Sequence, residues 1–146
     1  MSKQLLYLTN NQLTAAVWQK GSLSATQTFE NDALGWRAFA SYLADHKNIP
    51  ASLLTDLIEE DFQRESIPHV VGKTRKNLIQ RRLGQLYRDT PFRQATFQGR
   101  EKDGRKDDRM LFSALTNAEL PKPWLDTLLK AKVPLVGIFS VALLSP

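Results

Sequence analysis

Apolar and polar residues alternate with a period of two at the start of the chain. Gln4 to Leu8 and Gln12 to Gln19 form two strand patterns around Thr9-Asn10-Asn11, a sequence suited to a tight turn. In the second pattern Leu13, Ala15 and Val17 alternate with Thr14, Ala16 and Trp18, giving one apolar and one mixed face. Lys20-Gly21-Ser22 predicts a further turn, and Leu23 to Phe29 a third strand, so the chain opens as an antiparallel meander. Asn31 or Asp32 can cap a helix over about 33–47, whose stripe is Trp36, Phe39, Ala40 and Leu43. Pro50 closes that unit, and Ser52 to Phe62 reads as a strand, although Leu53, Leu54, Leu57 and Ile58 also fit helical spacing.

The second half repeats the rhythm. Gly72-Lys73-Thr74 leads into an amphipathic helix with Leu78, Ile79, Leu83, Leu86 and Tyr87 on one face, stopped by Pro91. Phe92 to Gly99 and Arg109 to Leu115 bracket a charged loop centred on Asp103-Gly104, a hairpin signal. Thr116-Asn117-Ala118-Glu119 matches a capping box, and Trp124, Leu125, Leu128 and Leu129 supply the stripe of a helix beginning near Pro123. The terminal run from Val133 to Pro146 carries no charge, and its first half is rich in β-branched residues. It predicts a strand covered on both faces, and a domain ending on it reads as a piece of a longer protein. The element order is β-β-β-α-β-α-β-β-α-β, an α/β chain.

At 146 residues and 42% hydrophobic, the chain suffices for one domain or two small subdomains. It lacks cysteine, which excludes disulfides and thiol chemistry, and His46 and His69 alone do not make a histidine metal site. No run approaches the roughly 18–20 apolar residues that span a bilayer, and Leu5 to Leu8 is too short for a signal core. A cytoplasmic protein with no metal and no cofactor is expected.

Charge is placed unevenly. From Lys73 to Arg109 twelve Lys/Arg face five Asp/Glu, a balance of +7 within a total of +5, so the remainder is −2. Directly before it, Asp56 to Glu65 holds five acids and one base. An acidic segment next to a basic one means neutralisation inside the fold or a basic face kept for a partner.

These elements carry a resemblance. A meander, a helix and a strand followed by a small α/β insertion resemble the actin-like (ribonuclease-H-like) ATPase fold in the form found in bacterial cell-division and pilus-assembly members. The passage from Leu115-Thr-Asn-Ala through Trp124-Leu-Asp-Thr-Leu-Leu-Lys-Ala-Lys-Val-Pro-Leu-Val-Gly-Ile-Phe-Ser-Val-Ala-Leu-Leu144 is similar to type IV pilus assembly platform proteins. The cytoplasmic domains of type II secretion platform proteins are similar there too. The resemblance covers the chain as the N-terminal part of a full member. It implies an actin-like subdomain over 1–65, an inserted helix-hairpin subdomain over 66–115, and a helix and strand over 116–146 returning to the first. Nucleotide-binding members place Asp-x-Gly at the first hairpin, where this chain has Thr9-Asn10-Asn11-Gln12. Neither a G-x-x-x-x-G-K-[ST] nor a G-x-G-x-x-G run occurs elsewhere. The resemblance therefore implies a scaffold without ATPase activity, not an enzyme.

Other catalytic readings find little support. Adjacent strand residues point to opposite faces, so of Glu59, Glu60, Asp61 and Glu65 only Glu59 and Asp61 share one among the first three. A solvated acidic edge, or salt bridges to the basic helix, accounts for them. His69 beside Pro68 has no identified nucleophile or carboxylate, and no G-x-S-x-G elbow is present.

The basic stretch is the candidate site. Arg75, Lys76, Arg81, Arg82 and Arg88 fall on the helix, and Arg93, Arg100, Lys102, Arg105, Lys106 and Arg109 in or near the hairpin, with Phe92, Phe97 and Phe112 interleaved. The expected function is a non-catalytic protein-binding scaffold at the cytoplasmic face of a bacterial inner membrane, in a pilus or secretion machine. Arg100, Lys102, Arg105, Lys106 and Arg109 are its partner-binding residues. Self-association as a homodimer stays open. Nucleic-acid binding is the alternative, weakened by Glu101, Asp103, Asp107 and Asp108 at the tip. A third reading is the ATP-binding half of an actin-like ATPase completed by the rest of the chain.

Overall fold

The computed structural model describes residues 1–144; Ser145 and Pro146 lie outside the described residues. The first elements are β1 (Lys3–Thr9), β2 (Gln12–Gln19), β3 (Ser22–Leu23), β4 (Gln27–Glu30), α1 (Ala33–Ala44) and β5 (Ala51–Asp56). Then come β6 (Glu60–Ile67), α2 (Gly72–Leu86), β7 (Arg93–Arg100), β8 (Asp108–Leu115), α3 (Lys122–Lys130), β9 (Leu135–Ser140) and α4 (Val141–Leu144). They form two compact units, one of Met1–Ile58 with the segment from Glu119 onward, the other Glu59–Ala118.

The first unit holds a six-stranded sheet of order β3-β2-β1-β5-β9, with β4 also on β2. β1 and β2 pair antiparallel with Leu8 opposite Leu13, and β1 and β5 pair parallel with Leu6 opposite Leu53. All four of these leucines are fully buried, as alternation on a half-covered sheet demands. The expected third strand is interrupted: β3 and β4 both pair with β2, and Ser24 lies between them. The Ser24 hydroxyl accepts the Val17 N–H at 2.9 Å, so a side chain replaces a ladder acceptor there.

Asp32 caps α1, its carboxylate accepting the Gly35 N–H at 2.8 Å. Gly35 is required because a Cβ at that position would lie 1.7 Å from the Glu30 carbonyl oxygen. The helix buries Phe39, Tyr42 and Leu43, whereas Trp36 is half-buried and Ala40 exposed, so the predicted stripe mixes two faces. Phe39 meets Phe29 at 5.5 Å and Trp124 of α3 at 5.4 Å between ring centroids, forming the aromatic centre of this unit. Gln4, fully buried on β1, donates through Nε2 to the carbonyls of His46 (3.0 Å) and Ile49 (2.8 Å), fastening the α1–β5 turn.

Among the described residues β9 pairs with β5 alone, and Leu135, Val136 and Phe139 are exposed in this chain. From Val141 the backbone turns helical. α3 starts at Lys122, beside the expected Pro123, with Pro121 as N-cap, so the Thr116–Glu119 spacing caps no helix and the Thr116 hydroxyl donates to the Glu59 carbonyl at 3.1 Å.

In the second unit β6-β8-β7 make an antiparallel sheet with α2 on one face. Its core is Ile67, Leu83, Tyr87, Met110, Phe112 and Ala114. The strand predicted over Ser52 to Phe62 is two strands, broken at 57–59, and the acidic one belongs to this sheet. The units accordingly divide at 58/59 and 118/119, against the 65/66 and 115/116 boundaries drawn from the sequence. No helix among the described residues is long and apolar enough to cross a membrane.

Candidate functional site

The charged hairpin is built on period-two alternation in β8. Asp108, Met110, Phe112 and Ala114 share the face that meets α2, which carries the carboxylate of Asp108 into a fully buried position. A buried carboxylate needs partners, and this one has them. His69 places Nδ1 at 2.9 Å from Oδ1, Arg75 of α2 donates Nη1 to Oδ2, and Arg100 Nε lies 3.8 Å from Oδ1. Burial pushes the Asp108 carboxyl up, but the hydrogen bonds and charges of His69 and Arg75 outweigh it and hold the group below its ordinary value.

Above this anchor the hairpin turns over 101–107. The register shifts between Phe97 and Gly99, where Gly99 adopts φ +113° and a Cβ would lie 2.9 Å from Arg109 Nη2. The ladder resumes with Arg100 opposite Asp108, and the Glu101 N–H donates to the Asp107 carbonyl at 2.7 Å. Glu101 also accepts from the Ser66 hydroxyl at 3.0 Å, tying the tip to β6.

The five predicted residues thus part company. Arg100, though exposed, bonds within the hairpin, donating Nε to the Lys106 carbonyl at 3.1 Å, and Arg109 donates to the Gln98 carbonyl at 3.2 Å. Arg105 pairs with Asp107 at 3.0 Å. Lys102 and Lys106 are exposed, with no side-chain partner among the described residues, and Lys106 holds a left-handed backbone at φ 57°.

The same division runs along the rest of the basic stretch. Arg82 grips Glu65 bidentately, with Nε to Oε2 at 2.7 Å, and its hydrogen bonds hold the Glu65 carboxyl below the ordinary range. Arg93 donates to the Tyr87 carbonyl at 2.7 Å. The Tyr87 hydroxyl donates to Asp61 at 2.8 Å, and burial together with that carboxylate pushes the phenol strongly up. Arg75 lies over the ring of Phe97, 5.3 Å from its centroid, while Phe97 itself stays about half exposed at 52%. Phe112 lies in the core. Sequence reasoning missed the His69–Arg75–Asp108 cluster; the signal was the two-residue spacing of Asp108 from Met110 and Phe112.

No group of three or more His, Asp or Glu among the described residues is arranged to hold a metal. At the first turn, Asn10 and Asn31 do structural work. Asn10 Oδ1 accepts the Ile58 N–H at 2.8 Å, and its carbonyl accepts from Asn31 Nδ2 at 3.2 Å.

The architecture is that of an actin-like (ribonuclease-H-like) α/β protein, with a second unit carrying the hairpin. Among solved structures the chain is similar to the cytoplasmic domain of EpsL, an inner-membrane component of the type II secretion system of Vibrio cholerae. That match has a TM-score of 0.62 and 13% identity over 100% of this chain and 60% of that one. It is also similar to a chain of the PilM-PilN type IV pilus biogenesis complex, with a TM-score of 0.57 and 13% identity over 94% of this chain and 47% of that one. The chain therefore spans about half to three-fifths of these structures. No family model matches the sequence, and no curated protein matches it significantly.

Proposed function

We propose that this chain is a non-catalytic, protein-binding scaffold module of a bacterial inner-membrane assembly machine of the secretion or pilus type, acting at the cytoplasmic face. The observation that carries this reading is the shared fold over nearly the whole chain with two assembly components. The first turn supports it, since Thr9-Asn10-Asn11-Gln12 lacks the carboxylate and glycine of nucleotide-binding members and Asn10 is spent on backbone contacts.

The hairpin is the proposed docking element, with Arg100, Lys102, Arg105, Lys106 and Arg109 as the partner-facing set. Within it the work divides. Arg100 and Arg109 brace the hairpin's shape, and Lys102 and Lys106 present its free charge. A braced, charged tip suits recognition of a protein surface, because little order is lost on docking. Six arginines of the basic stretch (Arg75, Arg82, Arg93, Arg100, Arg105 and Arg109) are already bonded within the protein, which weighs against a phosphate-binding face.

The test is capture from detergent-solubilised inner membranes of the source bacterium, comparing the full chain with Lys102→Glu/Lys106→Glu. Recovery of a secretion or pilus component by the wild type, lost in the variant at unchanged melting temperature, is the expected result. Equal recovery by both removes the hairpin from the interface. Retention of a labelled oligonucleotide at low salt, fading as salt rises, would replace the protein reading with the nucleic-acid one.

A further inference from the structure

A second surface lies entirely in the first unit. α1 and α3 leave a groove of about 870 Å³ between them, within the size range of specific binding pockets. Trp36 and Ala40 line it from α1, and its cations are Arg37, Lys47, Lys130 and Lys132. The first unit has seven Lys/Arg in all (20 in the chain less the 13 of 59–118) and six Asp/Glu (15 less 9). Four of the seven basic residues line this one groove, and none of the six acids does. None of the four forms an ion pair among the described residues.

Helix dipoles explain part of this. Lys130 is in the last turn of α3, Lys132 just beyond it, and Lys47 follows the end of α1, all where a cation is favoured. That account does not reach Arg37, in the second turn of α1, where the dipole offers nothing to a cation. Nor does it explain why the indole of Trp36 lies half-exposed in the same recess, fixed by an Nε1 hydrogen bond to Asn31 Oδ1 at 3.4 Å.

We infer that this groove docks an acidic segment of a protein partner, seating an apolar side chain against Trp36 with carboxylates on the four cations. The charge is complementary, and the concave shape decides among anions. A bilayer surface is flat and is met by projecting side chains, whereas a recess between two helices admits a single peptide anchor. The inference goes beyond the hairpin reading, because it uses the other unit and different residues.

The test uses the full chain and a fluorescein-labelled amphipathic peptide of Glu, Leu and Trp, with a Lys-for-Glu peptide as control. Binding of the acidic peptide alone is expected, with amide shifts confined to α1, α3 and the residues that follow each. Arg37→Glu/Lys130→Glu should weaken it by about tenfold or more. Ala40→Gln, an exposed change that fills the groove without altering charge, should weaken it too, and circular dichroism confirms that each variant is folded. Lys102→Glu/Lys106→Glu should leave it unchanged, which separates this site from the hairpin. Equal binding of both peptides, or insensitivity to Arg37→Glu/Lys130→Glu and Ala40→Gln, overturns the inference. So does binding to phosphatidylglycerol vesicles without binding to the peptide, and so does concentration-dependent self-association abolished by Ala40→Gln.

Discussion

Gln4→Met separates hydrogen bonding from packing at a fully buried polar side chain of the first unit. Methionine keeps the length and volume of glutamine, so the core stays filled. It removes Nε2, and the carbonyls of His46 and Ile49 each lose a donor. The Ile49 carbonyl, left without this donor, costs about 1–2 kcal/mol, and the His46 carbonyl, which keeps the Ile49 N–H at 3.2 Å, about 0.5–1 kcal/mol. Against this, Gln4 Oε1 is buried with no hydrogen-bond partner among the described residues, and removing it returns roughly 1 kcal/mol. The net expectation is a loss of about 1 kcal/mol, or a fall of about 0.5 M in the urea midpoint at an m-value near 2 kcal/mol/M.

Gln4→Glu is the companion. It keeps the shape but points a buried carboxylate at two carbonyl oxygens, and should be worse than methionine by a further 1–3 kcal/mol or so at neutral pH. Desolvation raises that carboxyl's folded pKa, so its penalty is largest at high pH and shrinks as pH falls through the raised value. Trp18, Trp36 and Trp124 all lie in the first unit, so tryptophan fluorescence reads this unit's unfolding without contribution from the second. A Gln4→Met midpoint within about 0.2 M of wild type, or a Gln4→Glu protein as stable as Gln4→Met, would refute the reasoning.

Gly35→Ala forces a methyl into the Glu30 backbone carbonyl and should destabilise the first unit by about 3 kcal/mol or more, read by the same fluorescence titration; a loss below about 1 kcal/mol would mean the α1 start shifts freely. Asp108→Asn should loosen the hairpin base, seen as faster hydrogen exchange at the β8 amides at pH 7. The Asp108 carboxyl is held below its ordinary value, so its contribution is present above the unfolded pKa of about 3.9 and lost as pH falls through the lower folded value. The gap between wild type and Asp108→Asn should therefore close only below about pH 4; a gap that closes near neutrality would assign the effect to another group.

Much of the fold was legible where local chemistry and tertiary context agree. The β1–β2 alternation, the Asp32 cap, the amphipathic α2 and the Asp103-Gly104 hairpin all formed where the pattern put them. The misreadings came where neighbours decide. An uncharged, β-branched run states a demand for cover without naming its source, and among the described residues β9 pairs with β5 and leaves Leu135, Val136 and Phe139 exposed. Thr116 and Glu119 have capping-box spacing, but the helix starts at Lys122, beside the Pro123 start that the prolines predicted, and the Thr116 hydroxyl bonds the Glu59 carbonyl instead. For the site, counting charges treated Asp108 as a diluent of a basic field. The alternation that buries Met110 and Phe112 also buries Asp108, and that turns Arg75 and Arg100, with the His69 ring beside them, from surface groups into its partners.

The two proposed surfaces differ in a way that a salt titration exposes. At the hairpin tip the presented groups are Lys102 and Lys106, with Arg105 already paired, so attraction there is that of exposed charges and is screened beyond roughly 8–10 Å at physiological ionic strength. The groove adds the indole of Trp36 and four alanines, Ala40 among them, to its four cations. Apolar burial is untouched by screening and carries a negative heat-capacity change on binding. A partner held by the tip alone should dissociate as salt rises, with little heat-capacity signature. One held by the groove should weaken with salt to a residual affinity that Ala40→Gln, and not Lys102→Glu/Lys106→Glu, then removes. Positive charge attracts an acidic partner to both places, but only the place that pairs charge with apolar surface can keep it there at high salt.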